Sequence, residues 1–117
     1  MIDGAYAALS ALDGFSKKLA VVSNNVANSN TDGFKKSRAI LEEGHNGGVE
    51  VSIQKVDTPG SPIPHEEGSR VQTEESSNVD LPEEMAQMIV AQQGHEANQK
   101  SLKAQDELLG TILDIVG

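Results

Sequence analysis

Three histidines, His45, His65 and His95, are the side chains best suited to acid–base or metal chemistry near neutral pH. They fall in a turn, a loop and a helical stretch, and no two stand at ligand spacing on one element, so a metal centre is not expected. Cysteine is absent, which removes thiol catalysis, cysteine-ligated zinc and disulfides. Ser, His and Asp are all present, but no strand–turn–helix elbow frames a serine nucleophile. Gly44, Gly47 and Gly48 precede a strand pattern instead of a helix, so they do not form a phosphate-binding loop. No catalytic, metal or cofactor site is expected, and the chain does not read as an enzyme.

The residues with a regular spacing are apolar, and what they can do is pack. Over residues 3–28, Ala5, Ala8, Leu12, Phe15, Leu19, Val22 and Val26 recur at alternating intervals of three and four, the seam of a heptad. That predicts a helix roughly 39 Å long at 1.5 Å per residue. Gly4 and Gly14 weaken it by about 1 kcal/mol each relative to Ala, so its stability must come from packing the seam. The run Asn28-Ser29-Asn30-Thr31-Asp32-Gly33 stops it, with Gly33 suited to a left-handed turn.

A second helix is predicted over 81–116. Asp80 and Glu83 have the spacing of a capping box, and Pro82 fits the first turn. Its seam runs Leu81, Met85, Met88, Gln92, His95, Gln99, Leu102, Asp106, Leu109, Leu113, Val116, apolar at the ends and polar at the centre. A polar centre specifies register or partner at some loss of stability, and suggests that more than two helices meet.

Between the helices, Val49, Val51 and Ile53 alternate with polar residues as a half-buried strand does. Ser37 to Glu43 can pair with them across His45-Asn46-Gly47-Gly48, since Asn-Gly is a strong hairpin signal. Residues 57–64, with Pro59, Gly60, Pro62 and Pro64, break both periods. From His65 to Asn78 the only aliphatic residue is Val71, so 57–79 reads as an extended surface loop. The expected fold is mainly α: long N- and C-terminal helices pairing as a coiled coil, with a small β-hairpin and an extended loop between them. It divides into residues 1–33, 34–79 and 80–117.

Only Tyr6, Phe15 and Phe34 are aromatic, so the core must be thin and aliphatic. A 117-residue chain of this kind is marginal alone and is expected to need a partner. Net charge is −9, placed unevenly: residues 1–40 hold five basic and three acidic groups, residues 41–100 three and twelve. The acidic middle disfavours nucleic acid and anionic membrane as partners. No apolar run approaches the roughly 20 residues of a membrane span. The N-terminus lacks the pattern of a cleaved secretory signal.

Two stretches carry a family resemblance. Leu19-Ala20-Val21-Val22-Ser23-Asn24-Asn25-Val26-Ala27-Asn28, followed by Thr31, Gly33, Phe34 and Lys35, resembles the N-terminal signature of bacterial flagellar rod and hook proteins. Ser77-Asn78-Val79-Asp80-Leu81, Glu83-Glu84-Met85, Met88-Ile89, Ala97-Asn98 and Asp106-Glu107-Leu108-Leu109-Gly110 resemble that family's C-terminal helix. The resemblance implies an axial subunit, exported by the flagellar type III apparatus without a cleaved signal, whose terminal helices form an antiparallel coiled coil on the inner wall of a tube. Its implied partners are further copies, neighbouring rod and hook-basal-body proteins and the export apparatus, and its implied location is the basal-body rod. Only about 50 residues separate the helices here, which is most like the short proximal rod proteins. Where the family has an aromatic before Ala97-Asn98, this chain has Gly94-His95, which removes a large seam contact.

The expected packing residues are Leu12, Phe15, Leu19, Val22, Val26, Met85, Met88, Leu102 and Leu109. The expected turn residues are Asn24, Asn25, Asn28, Thr31, Gly33 and Phe34. A soluble coiled-coil adaptor or chaperone-like module is the main rival, and a rod-associated peptidoglycan hydrolase fragment a weaker one. A membrane-surface helix over 3–28 has only Lys17 and Lys18 on its polar face, short of the basic density such helices need.

Overall fold

The computed structural model describes residues 2–116. Helix α1 (Ile2–Ala27) leads into hairpin β1 (Ser37–Glu43) and β2 (Val49–Lys55), then strands β3 (Pro62–Glu67) and β4 (Arg70–Glu75), and ends in α2 (Leu81–Val116). The molecule is elongated, 84 × 24 × 15 Å, and 54% helical.

The helices lie side by side and antiparallel, as three contacts along their length show. Gly4 sits beside Gln105, Phe15 beside Gly94, and Asn25 is bonded to Glu84. Few large side chains fill the interface. The buried apolar residues are Ala8, Ala11, Val22, Ala39 and Ala91, so the elements approach closely over small residues.

Hairpin β1–β2 lies along α1. Its register runs from Ser37 opposite Lys55 to Glu43 opposite Val49, leaving a five-residue loop, 44–48. Of the Asn46-Gly47 pair only Gly47 is left-handed, at φ 77°. Gly14 of α1 is buried under this sheet: a Cβ there would meet Val49, Leu41 and Val51 at 3.2–3.3 Å. The glycine that weakens the helix by propensity is thus the one that lets the hairpin close on it. At the hairpin tip, Ser10 Oγ accepts a 3.0 Å hydrogen bond from the Val49 N–H and donates one to the Ala7 carbonyl.

The stretch expected to be an extended loop contains a second antiparallel hairpin, with Pro62 opposite Glu75 and Glu67 opposite Arg70. Gly68 opens its two-residue turn at φ 68°. The composition hid it because Pro, Glu and His at these positions have low strand propensity. A two-stranded ribbon with no second layer needs little hydrophobic patterning, and this one packs on no other helix or strand among the described residues. It is tied in at its base. The Gly33 N–H donates to the Glu75 carbonyl at 2.8 Å, and Lys35 Nζ pairs with Glu75 at 2.7 Å.

Candidate functional site

The turn after α1 is built by its asparagines and one glycine. Asn28 Nδ2 donates to the Asn24 carbonyl (2.8 Å) and more weakly to Asn24 Oδ1, satisfying an acceptor in the last helical turn. Thr31 Oγ1 donates to Asn28 Oδ1 at 3.1 Å. The Phe34 N–H donates to the Thr31 carbonyl at 3.2 Å. Gly33 stands at φ 73°, redirecting the chain toward β1.

The sequence motif places Asn25 with these turn residues, but it does something else. Only 1% exposed, it faces the backbone of Ser37 as a strand would: Nδ2 donates to the Ser37 carbonyl (2.7 Å), and Oδ1 accepts from the Ser37 N–H (3.0 Å). Nδ2 also donates to Glu84 Oε2 at 3.2 Å, and Glu84 is itself buried. One side-chain amide therefore fastens α1, β1 and α2 together. Asn78 makes a parallel connection next door. Its Oδ1 accepts from the Lys36 N–H (2.7 Å), while Nδ2 donates to the carbonyls of Val56 (2.8 Å) and Thr58 (3.0 Å). An Asn in a motif signals a local cap from sequence; these long-range partners carry no local signal.

Glu83 adds an ionic layer over the junction, between Lys36 Nζ (3.2 Å) and Arg38 (2.5 Å). The hydrogen bond from the Lys36 ammonium, aided by the Arg38 charge and opposed by partial burial, holds the Glu83 carboxyl below its ordinary range. At the start of α2, the Glu84 N–H donates to the Asp80 carbonyl; the Asp80 carboxylate expected to cap the helix is exposed.

The anticipated packing residues separate into two groups. Val22 is buried, and Leu12, Phe15, Leu19, Val26, Met88 and Leu102 are half-buried. Met85 and Leu109 are 57% and 49% exposed. The face that α2 turns to α1 runs through Glu84, Met88, Ala91, Gly94 and Leu102; it shares Met88 and Leu102 with the expected heptad seam but takes Ala91 and Gly94 where that seam has Gln92. Gly94, in place of a large aromatic, receives the Phe15 ring instead of weakening the contact.

Near the α1 N-terminus an open groove of about 670 Å³ is lined by residues of both helices, among them Ala5, Leu12, Leu102, Lys103 and Leu109. Beyond its contact with Gly4, α2 continues for about three turns carrying Leu108, Ile112, Leu113 and Ile115, all exposed. Among the described residues no group of three or more His, Asp or Glu could hold a metal ion, and no helix is long and apolar enough to cross a membrane.

Both halves of the Asn junction fall within matches to flagellar protein models. Residues 6–35 match the "Flagella basal body rod protein" family and residues 70–115 the "Flagellar basal body rod FlgEFG protein C-terminal" family. The chain belongs to the flagellar basal-body rod and hook protein family. Among its relatives, flagellar hook protein FlgE of Escherichia coli K12 is 44% identical over 41 residues, 35% of this chain and 10% of the hook protein. FlgE of Salmonella typhimurium matches to the same extent. Flagellar basal-body rod protein FlgG of Bacillus subtilis 168 is 44% identical over 43 residues, 37% of this chain and 16% of FlgG. The match thus spans only a small part of these relatives' length. Both matched family descriptions are of flagellar basal-body rod proteins.

Proposed function

We propose that this chain is a structural subunit of the flagellar basal-body rod that polymerises through its terminal helices after type III export. The observation that carries this reading is the helix pair's unfinished state. Its α2 helix extends past α1 with Leu108, Leu109, Ile112, Leu113 and Ile115 exposed, and Tyr6 and Leu9 are exposed on the adjacent end of α1. An apolar helix end beside an apolar groove offers a docking surface for another helix, and an interface between unlike surfaces that does not close into a ring propagates as a helical array. Gln105 Oε1 is buried without a hydrogen-bond partner beside that groove, a group a neighbouring subunit can satisfy.

On this reading, Phe15, Leu19, Val22, Val26 and Met88 set the intrachain helix pair, which becomes part of a coiled coil when copies assemble. Leu12, Leu109 and Met85 meet neighbouring copies or adjacent rod and hook-basal-body proteins, and Leu102 joins the intrachain pair. The turn formed by Asn24, Asn28, Thr31, Gly33 and Phe34, with Asn25 behind it, fixes where the first helix ends and the hairpins begin. The export apparatus is the remaining partner.

Sedimentation velocity over a concentration series tests this. The wild-type chain is expected to grow in size without a fixed stoichiometry, and Leu109→Asp combined with Leu113→Asp to remain monomeric. A complex that stops at one small size in both proteins would instead support an adaptor.

A further inference from the structure

The chain has seven asparagines, and five of them have side chains held in hydrogen bonds: Asn24, Asn25, Asn28, Asn78 and Asn98. Asn30 and Asn46 are exposed, and neither side chain makes such a bond among the described residues. They differ in the residue that follows. Thr31 has a branched Cβ that crowds its own backbone nitrogen, whereas Gly47 has no side chain and stands at φ 77° with open space where a Cβ would be. The Gly47 N–H is held only by a 3.3 Å contact to the Gly44 carbonyl, beyond the usual range of such bonds.

We propose that Asn46 is a site of spontaneous deamidation, and that the change loosens the hold of the first hairpin on α1. The Gly47 backbone nitrogen attacks Asn46 Cγ. A new C–N bond closes a five-membered succinimide, the Cγ–Nδ2 bond breaks, and ammonia leaves with the proton lost from the Gly47 nitrogen. Water then opens either carbonyl of the ring, giving aspartate or isoaspartate, with no change of oxidation state.

Each product gains a negative charge, and in isoaspartate the main chain runs through the former side chain and lengthens by one carbon. The 44–48 loop has little room for that. Gly48 is buried against α1, where a Cβ would lie 2.8 Å from Ser10 Oγ and 3.2 Å from the Tyr6 ring. The next residue, Val49, donates its N–H to Ser10 Oγ at 3.0 Å. Lengthening the loop two residues upstream displaces Gly48 and stretches that bond.

The experiment ages the full chain in mildly alkaline buffer at body temperature, follows the mass gain of amide-to-acid conversion, and maps it by peptide. Conversion at Asn46 is expected to run at least about tenfold faster than at Asn30. Asn46→Gln, which can close only a slower six-membered ring, is expected to stay unmodified there. Aged wild-type protein should exchange the Val49 amide faster than Asn46→Gln aged in parallel. Conversion no faster at Asn46 than at Asn30 would overturn the site. A fully converted protein with unchanged Val49 exchange would overturn the consequence.

Discussion

The ring of Phe15 on α1 covers the backbone of Gly94 on α2 so closely that a Cβ at Gly94 would lie 2.8 Å from Cδ1, and nearer still to Cε1 and Cζ. Helix propensity alone favours Ala over Gly at position 94 by about 1 kcal/mol. The ring reverses that preference. In the wild-type background Gly94→Ala is therefore expected to destabilise, and in a Phe15→Ala background the same change is expected to stabilise by about 1 kcal/mol. Chemical denaturation of the four proteins of this cycle measures the change of sign.

Part of this arrangement was legible in the sequence. The 3,4 spacing of Leu12, Phe15, Leu19 and Val22, and the alternation of Val49, Val51 and Ile53, report local periodicity, which locates helices and strands directly. The partner of Gly94 is a tertiary fact 79 positions away in the chain, and no local pattern encodes it. A seam drawn at heptad spacing passes through Met85 and Leu109, but the α2 face that meets α1 is chosen by close approach and uses Ala91 and Gly94 instead. The β3–β4 ribbon leaves no strand pattern in the sequence, because Ile63 and Val71 are isolated among Pro, His, Glu and other polar residues.

Asn25 is expected to be among the residues most sensitive to substitution. Asn25→Ala leaves both backbone groups of Ser37 and the Glu84 carboxylate without their partner, at a cost of about 3 kcal/mol in thermal or chemical unfolding. Glu84→Gln keeps an acceptor for Asn25 Nδ2 and should cost much less than Asn25→Ala.

Gly33 tests the turn. A Cβ there meets nothing within 4 Å, so any penalty comes from its φ of 73° alone. Gly33→Val is expected to lower stability by about 1–2 kcal/mol, and Gly33→Asn, which tolerates the left-handed region, by clearly less. Equal losses in the two variants would point to a cause other than the backbone.

Acid should weaken the junction before it unfolds the helices. Glu83 is held below the ordinary carboxyl range, so its pairing with Lys36 and Arg38 contributes fully at and above that range. The contribution is lost as pH falls through the lowered value. Because Glu83 is about a third exposed, the amount is at most about 1 kcal/mol. Glu75, lowered by its hydrogen bond to Lys35, loses its pairing in the same direction at the ribbon base. In melting curves measured downward from neutral pH, Glu83→Gln is expected to flatten part of the acid slope.

Amide hydrogen exchange across residues 108–116, compared between dilute and assembled protein, tests the central claim most directly. These last turns of α2 extend past the contact of Gln105 with Gly4 and expose Leu113 and Ile115 at 63% and 79%. Terminal helix without a packing partner exchanges quickly. The expected result is rapid exchange in the dilute monomer and strong protection once the chain is concentrated or mixed with a neighbouring rod protein. Strong protection of these amides already in a dilute monomer, or none in the assembled state, would contradict assembly through the terminal helices.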